Sequence, residues 1–68
     1  MPTIRVELIA GRTPEQKRNL VKALTQACVD TLGSKAESVD VVLFDIAPGD
    51  WATGGETWAD KMAKPQGS

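Results

Sequence analysis

Histidine is absent from this chain, and cysteine occurs once in 68 residues. Two common staples of very small proteins are thereby excluded. One thiol closes no intramolecular disulfide, and one thiol without imidazole makes no nitrogen–sulfur metal cage. Neither sign of charge is in excess: eight Lys and Arg against nine Asp and Glu leave a net charge of -1. That balance carries no electrostatic footprint for nucleic acid or for an anionic membrane, and neither is expected as a partner. Long apolar runs are missing as well. Downstream of the first strand the longest is Val41-Val42-Leu43-Phe44, far short of a membrane span, and the N-terminus lacks the basic and apolar regions of a signal peptide. A cytoplasmic location is expected. Cys28 recurs at helical spacing among alanine, leucine and valine, as a small buried hydrophobe does, and receives no functional role.

What remains to stabilise so short a chain is self-association. A domain of this length buries only about 60% of the surface its unfolded chain exposes. With disulfides and metal set aside, oligomerisation is the remaining remedy. The chain reads as a single domain over 1–68, with 62–68 as a frayed tail.

The first twelve residues organise the rest. Ile4, Val6 and Leu8 alternate with Arg5, Glu7 and Ile9, the period of a strand with one face on a core. Thr13-Pro14-Glu15-Gln16 then combines a threonine N-cap, proline at the first helical position, an early acid and a capping-box glutamine. A helix is predicted from Pro14, with Leu20, Val21, Leu24, Ala27, Cys28 and Leu32 on its inner stripe and Gly33 as its left-handed cap. A loop over 34–38 leads to a second strand, Val39 to Ile46. Strand, helix and strand make a βαβ unit, so the strands should be parallel and the crossover right-handed. One helix covers one face of the sheet and leaves Ile9, Val42, Phe44 and Ile46 in need of cover, for which another subunit is the natural source. Ala47-Pro48-Gly49-Asp50 is turn chemistry, a short extended piece follows at Trp51-Ala52-Thr53, and Gly54-Gly55 reads as a tight turn. From Glu56 to Lys64 a short helix would carry Trp58 and Met62 on one side, and Lys64 to Ser68 should fray.

A Met-Pro start, the alternating strand, Gly11-Arg12-Thr13-x-Glu15-Gln16-Lys17 opening a helix, a strand after Ser38-Val39, and an aromatic followed by Gly54-Gly55-Glu56 form an ordered set. In that set the chain resembles the 4-oxalocrotonate tautomerase family of small subunits, from Pro2 to about Lys61. The resemblance implies an α/β (α+β) protomer, a single βαβ unit with a short C-terminal hairpin or tail. Its sheets would be completed by oligomerisation, commonly as three dimers in a hexamer, with a dimer or a hetero-oligomer left open. It implies no cofactor and a small carboxylate-bearing substrate. The family's catalytic N-terminal proline, exposed when the initiator methionine is removed, matches Pro2, and its carboxylate-binding arginine matches Arg12. Ile9 and Trp51 match its aliphatic and aromatic pocket positions. Asp40 departs from the pattern, standing where the best-known members carry a second arginine, and the water-activating carboxylate of hydratase and dehalogenase relatives is replaced near Thr53.

These residue types suit a keto-enol tautomerisation, which needs one group to remove a proton and return it to another atom. A secondary amine of lowered pKa serves, and burial beside Ile9, Trp51 and cationic Arg12 would lower it. Proline offers such an amine only at an extreme N-terminus. Arg12 lies just before a helix start, electrostatically the wrong end for a cation, and its planar guanidinium grips a carboxylate bidentately. Trp51 alone would read more readily as core or interface. Asp40 is most simply an ion-pair partner of Arg5 on the neighbouring strand. The expected function is a cofactor-independent tautomerase. Its alternatives are a hydratase, dehalogenase or decarboxylase-like sibling using Pro2 as acid, with Asp40 directing water, and a non-catalytic oligomerising subunit.

Overall fold

The structure, a computed structural model, describes residues 2–63. Strand β1 (Thr3–Ile9), helix α1 (Pro14–Leu32) and strand β2 (Asp40–Ile46) form one βαβ unit, and the two strands pair in parallel. The register sets Thr3 opposite Asp40, Val6 opposite Leu43 and Ile9 opposite Ile46. Ile4, Val6 and Leu8 of β1, with Val41 and Leu43 of β2, occupy one face and are half-buried.

Helix α1 begins where its capping chemistry requires. The Thr13 hydroxyl accepts from the Gln16 N–H at 3.1 Å, and the Gln16 side-chain carbonyl accepts from the Thr13 N–H at 2.9 Å. Two otherwise orphaned donors are thereby satisfied. The helix ends at Gly33, whose φ of 70° turns its N–H back to the Val29 carbonyl at 3.2 Å. Between α1 and β2 the expected loop contains a 3-10 turn at Ala36–Ser38, and Val39 closes that turn through its N–H to the Ala36 carbonyl. The ladder therefore starts at Asp40, one residue later than the residue pattern suggests.

The C-terminal segment differs more. A 3-10 turn at Pro48–Asp50 leads to an antiparallel hairpin of β3 (Ala52–Thr53) and β4 (Glu56–Thr57), and then to helix α2 (Trp58–Ala63). Gly54 and Gly55 both have positive φ, 66° and 85°, as a two-residue turn matched to strand twist demands. Glu56 and Thr57 thus belong to the hairpin and not to the expected helix. The Thr57 hydroxyl instead caps α2, accepting from the Asp60 N–H at 3.1 Å. Met62 and Ala63 are helical, while Lys64 to Ser68, expected to fray, lie outside the described residues. Cys28 is half-buried, and no described helix is long and apolar enough to cross a membrane.

Among the described residues none is fully buried. The radius of gyration is 15.9 Å, against about 11 Å for a compact domain of this length. The exposed area is 5133 Å², against about 4,200 Å² for a compact monomer of this size. Large apolar side chains share in that exposure: Leu32, expected on the inner stripe of α1, is 67% exposed, Met62 59%, and Val42 and Phe44, on the sheet face away from α1, 39% each. Among the described residues a lone protomer has no fully buried core, and the face of Val42 and Phe44 is the contact expected for a second copy. Phe44→Asp should place an unpaired charge in that contact and leave mostly monomer or unfolded chain in sedimentation at micromolar concentration; an unchanged oligomer would show that the contact lies elsewhere.

Candidate active site

At the C-terminal end of β1 the chain leaves the sheet and must turn into α1 within four residues. Gly11 makes this turn with a φ of 131°, a value side-chain-bearing residues rarely adopt. The loop is held from both sides: the Ala10 N–H donates to the Ile46 carbonyl at 2.8 Å, and the Thr13 capping box holds the helix start. Arg12 stands between these anchors, and its Nη1 donates to the Ile9 carbonyl at 3.3 Å.

Beside this loop lies a groove of about 750 Å³, within the range of small-molecule sites. Glu7, Ile9 and Arg12 line it together with Lys17 and Leu20 of α1 and with Trp51 and Met62 of the C-terminal segment. One cationic fork faces a largely apolar wall. Such an arrangement can hold an anionic head group through two parallel hydrogen bonds and lay a flat unsaturated tail on an indole. Of the residues singled out in the sequence, Ile9, Arg12 and Trp51 are brought together here.

Pro2 and Asp40 are not. They meet at the opposite end of the sheet, where the Asp40 N–H donates to the Pro2 carbonyl at 3.0 Å. The seven residues of β1 rise about 3.3 Å each, so the proline end and the arginine end of one protomer stand about 23 Å apart. The expected Arg5–Asp40 ion pair does not form; both side chains are exposed on the same face, and their diagonal register leaves them apart.

Met62, Leu20 and Lys17 are groove residues that periodicity alone assigned to a tail or a helix face. Met62, 59% exposed in the structure, is placed by the sequence only on one side of a short helix, with nothing to say what that side faces. The Lys17–Asp45 ion pair carried no readable signal, because its partners are 28 residues apart in sequence. The C-terminal segment is closed on itself by a backbone bond from the Trp58 N–H to the Trp51 carbonyl at 2.8 Å, which holds α2 against the chain that carries Trp51. The Trp58 ring supports the Lys61 ammonium at 4.9 Å, and its own indole N–H is enclosed without a partner among the described residues. No group of three His, Cys, Asp or Glu among the described residues could hold a metal ion.

Comparison with known proteins agrees with this geometry. The sequence model of the Tautomerase family, described as tautomerase enzymes, matches residues 2–61. A probable tautomerase of Ralstonia nicotianae is 47% identical over 55 residues, which are 81% of this chain and 79% of the relative. The 2-hydroxymuconate tautomerase of Bacillus subtilis is 37% identical over 60 residues, 88% of this chain and 97% of that enzyme. Among solved structures, a 4-oxalocrotonate tautomerase homologue of the tomaymycin biosynthetic pathway superposes with a TM-score of 0.91 at 41% identity, covering 94% of this chain and 98% of its own.

The loop geometry makes a prediction about Gly11. A Cβ there meets nothing within 4 Å, so any penalty of Gly11→Ala is one of backbone conformation. The expected loss is about 1–2 kcal/mol, read as a fall of about 4–15 °C in melting temperature. An unchanged melting temperature would mean that the loop adopts another path.

Proposed function

The chain belongs to the tautomerase family, over residues 2–61, and from that premise we propose that this isomerase interconverts the enol and keto forms of a small unsaturated carboxylic acid without a cofactor. The observation that carries the proposal is the groove, where the Arg12 guanidinium faces Ile9, Trp51 and Met62. Arg12 receives the substrate carboxylate. Pro2, once Met1 is removed, is the general acid and base: its lone pair takes the enol hydroxyl proton as the carbonyl forms, and the same proton is returned to carbon as the C–H bond closes. Charge and atoms balance without any outside oxidant, reductant or water.

A strand length separates Pro2 from Arg12 in one protomer, so the reaction needs the proline end of one copy beside the arginine end of another. The coreless protomer and its exposed Val42 and Phe44 support such an assembly. Three dimers in a hexamer, as the family resemblance implies, would repeat this meeting at every site. Desolvation in the closed interface, together with a neighbouring cation, would lower the amine's pKa toward neutrality.

Asp40 travels with Pro2 in this scheme, one ladder bond away. It brings negative charge to the end of the pocket opposite the arginine. Two unit charges at 4 Å interact by about 4 kcal/mol at an effective dielectric of 20; even a screened part of that disfavours a second substrate carboxylate. Monoacids with an apolar or aromatic far end are the preferred class. The same juxtaposition supports a second reading, in which Asp40 directs water while Pro2 donates a proton, as in a hydratase.

Pro2→Ala, with methionine still cleaved, should keep the fold and lose about 10²- to 10⁴-fold in turnover, measured as ketonisation of a panel of enol acids with water addition scored alongside. Near-parental turnover would remove Pro2 from the mechanism, and dominant water addition would favour the hydratase reading. A mass spectrum showing Met1 retained in the native host would favour a non-catalytic subunit. Asp40→Arg should raise kcat/KM for a diacid enol relative to its matched monoacid. A ratio equal to the parent's would place Asp40 outside the pocket.

A further inference from the structure

Asp45 and Ile46 are consecutive residues at the end of β2, and between them they hold both flanks of the Arg12 loop. On the strand flank the Ile46 carbonyl accepts the Ala10 N–H at 2.8 Å. On the helix flank the Asp45 carboxylate is ion-paired with the Lys17 ammonium. Lys17 follows the capping-box residue Gln16, and its own N–H donates to the Thr13 carbonyl at 3.1 Å. A displacement of Lys17 is therefore transmitted to Thr13, the residue next to Arg12.

The pairing also decides which cation is left for a ligand. Lys17 and Arg12 line the same groove, but Lys17 is committed to Asp45, whereas Arg12 bonds a neutral carbonyl, that of Ile9. Glu7 also lines the groove but pairs with neither cation, and with Asp45 occupied by Lys17 the guanidinium has no carboxylate partner among the described residues and keeps its charge for an incoming anion.

We propose that Lys17 and Asp45 are positioning residues for Arg12: their ion pair clamps the helix flank of the loop so that the guanidinium is presented, un-neutralised, to a carboxylate in the groove. The proposal rests on the reading of Arg12 as the carboxylate receptor and deepens it. Charge alone makes the opposite prediction, which gives the test its edge. Asp45→Asn removes a negative charge near the anion site and on simple electrostatics tightens anion binding; loss of positioning weakens it.

The test titrates the oligomeric protein with crotonate, an unsaturated four-carbon monoacid, by isothermal calorimetry and by the emission of groove-lining Trp51 in a Trp58→Phe background. Asp45→Asn should weaken crotonate about 3- to 10-fold, a coupling of the size that contacting residues show. Lys17→Met should weaken it at least as much, since it also frees Asp45 to compete for Arg12. Both effects should vanish in an Arg12→Ala background, which a general loosening of the fold would not produce. Unchanged or tighter binding in Asp45→Asn, or a loss that persists undiminished without Arg12, overturns the proposal. A parent protein that binds no crotonate overturns the role of Arg12 itself, and the proposal with it. A parent that binds crotonate yet turns over no enol acid sets aside the isomerase reading alone, because positioning is read from the affinities.

Discussion

The pairing of β1 with β2 is the interaction on which the rest of this molecule depends, since one register determines what stands at each end of the sheet. Setting Thr3 opposite Asp40 brings the Asp40 N–H to the Pro2 carbonyl. Five and six residues on, the same register delivers Asp45 and Ile46 to the two flanks of the Arg12 loop. A slip of one residue would turn every β2 side chain to the other face. Val42 and Phe44 would then meet α1, while Asp45 would point away from Lys17. The burial pattern and the site are consequences of one hydrogen-bonded alignment.

Much of the fold was legible in the residues because its signals are local. The Thr13–Gln16 capping box, Pro14 at the first helical turn, Gly33 at the cap and the alternating strands each act within a few residues, and each appears where expected. Parallel pairing followed from the length of the crossover. The hairpin at Ala52–Thr57 was only half legible: Gly54-Gly55 announced a turn, but Glu56 and Thr57 have no strong strand preference and owe their extended form to pairing with Ala52 and Thr53. At the site, resemblance and chemistry selected Ile9, Arg12 and Trp51, which share the groove. Met62 and Lys17 escaped because their roles depend on where distant segments land. Arg5 and Asp40 sounded like partners on composition alone, yet the ladder sets Arg5 opposite Val42 and leaves the two charges apart.

That none of the described residues is fully buried is a matter of geometry and not of composition. At 41% hydrophobic residues the chain has ordinary apolar content. A two-stranded sheet with one helix simply cannot enclose it, and the uncovered face carries Val42 and Phe44. Folding and association then draw on the same apolar area, so stability depends on protomer concentration. The proposed chemistry makes the same requirement: it needs the proline end of one copy beside the arginine end of another, because one strand holds the two far apart.

The C-terminal arm stands apart from this economy of parts. The β3–β4 hairpin and α2 pack chiefly on one another and on the turn at Pro48–Asp50, with the Trp58 N–H bound to the Trp51 carbonyl. The arm nevertheless furnishes one whole side of the groove through Trp51 and Met62. Because the hairpin, α2 and the turn are bound mainly to one another, Trp51 and Met62 are carried on one unit: a change inside the arm shifts both lining residues together, as a jaw closes or opens against a fixed plate.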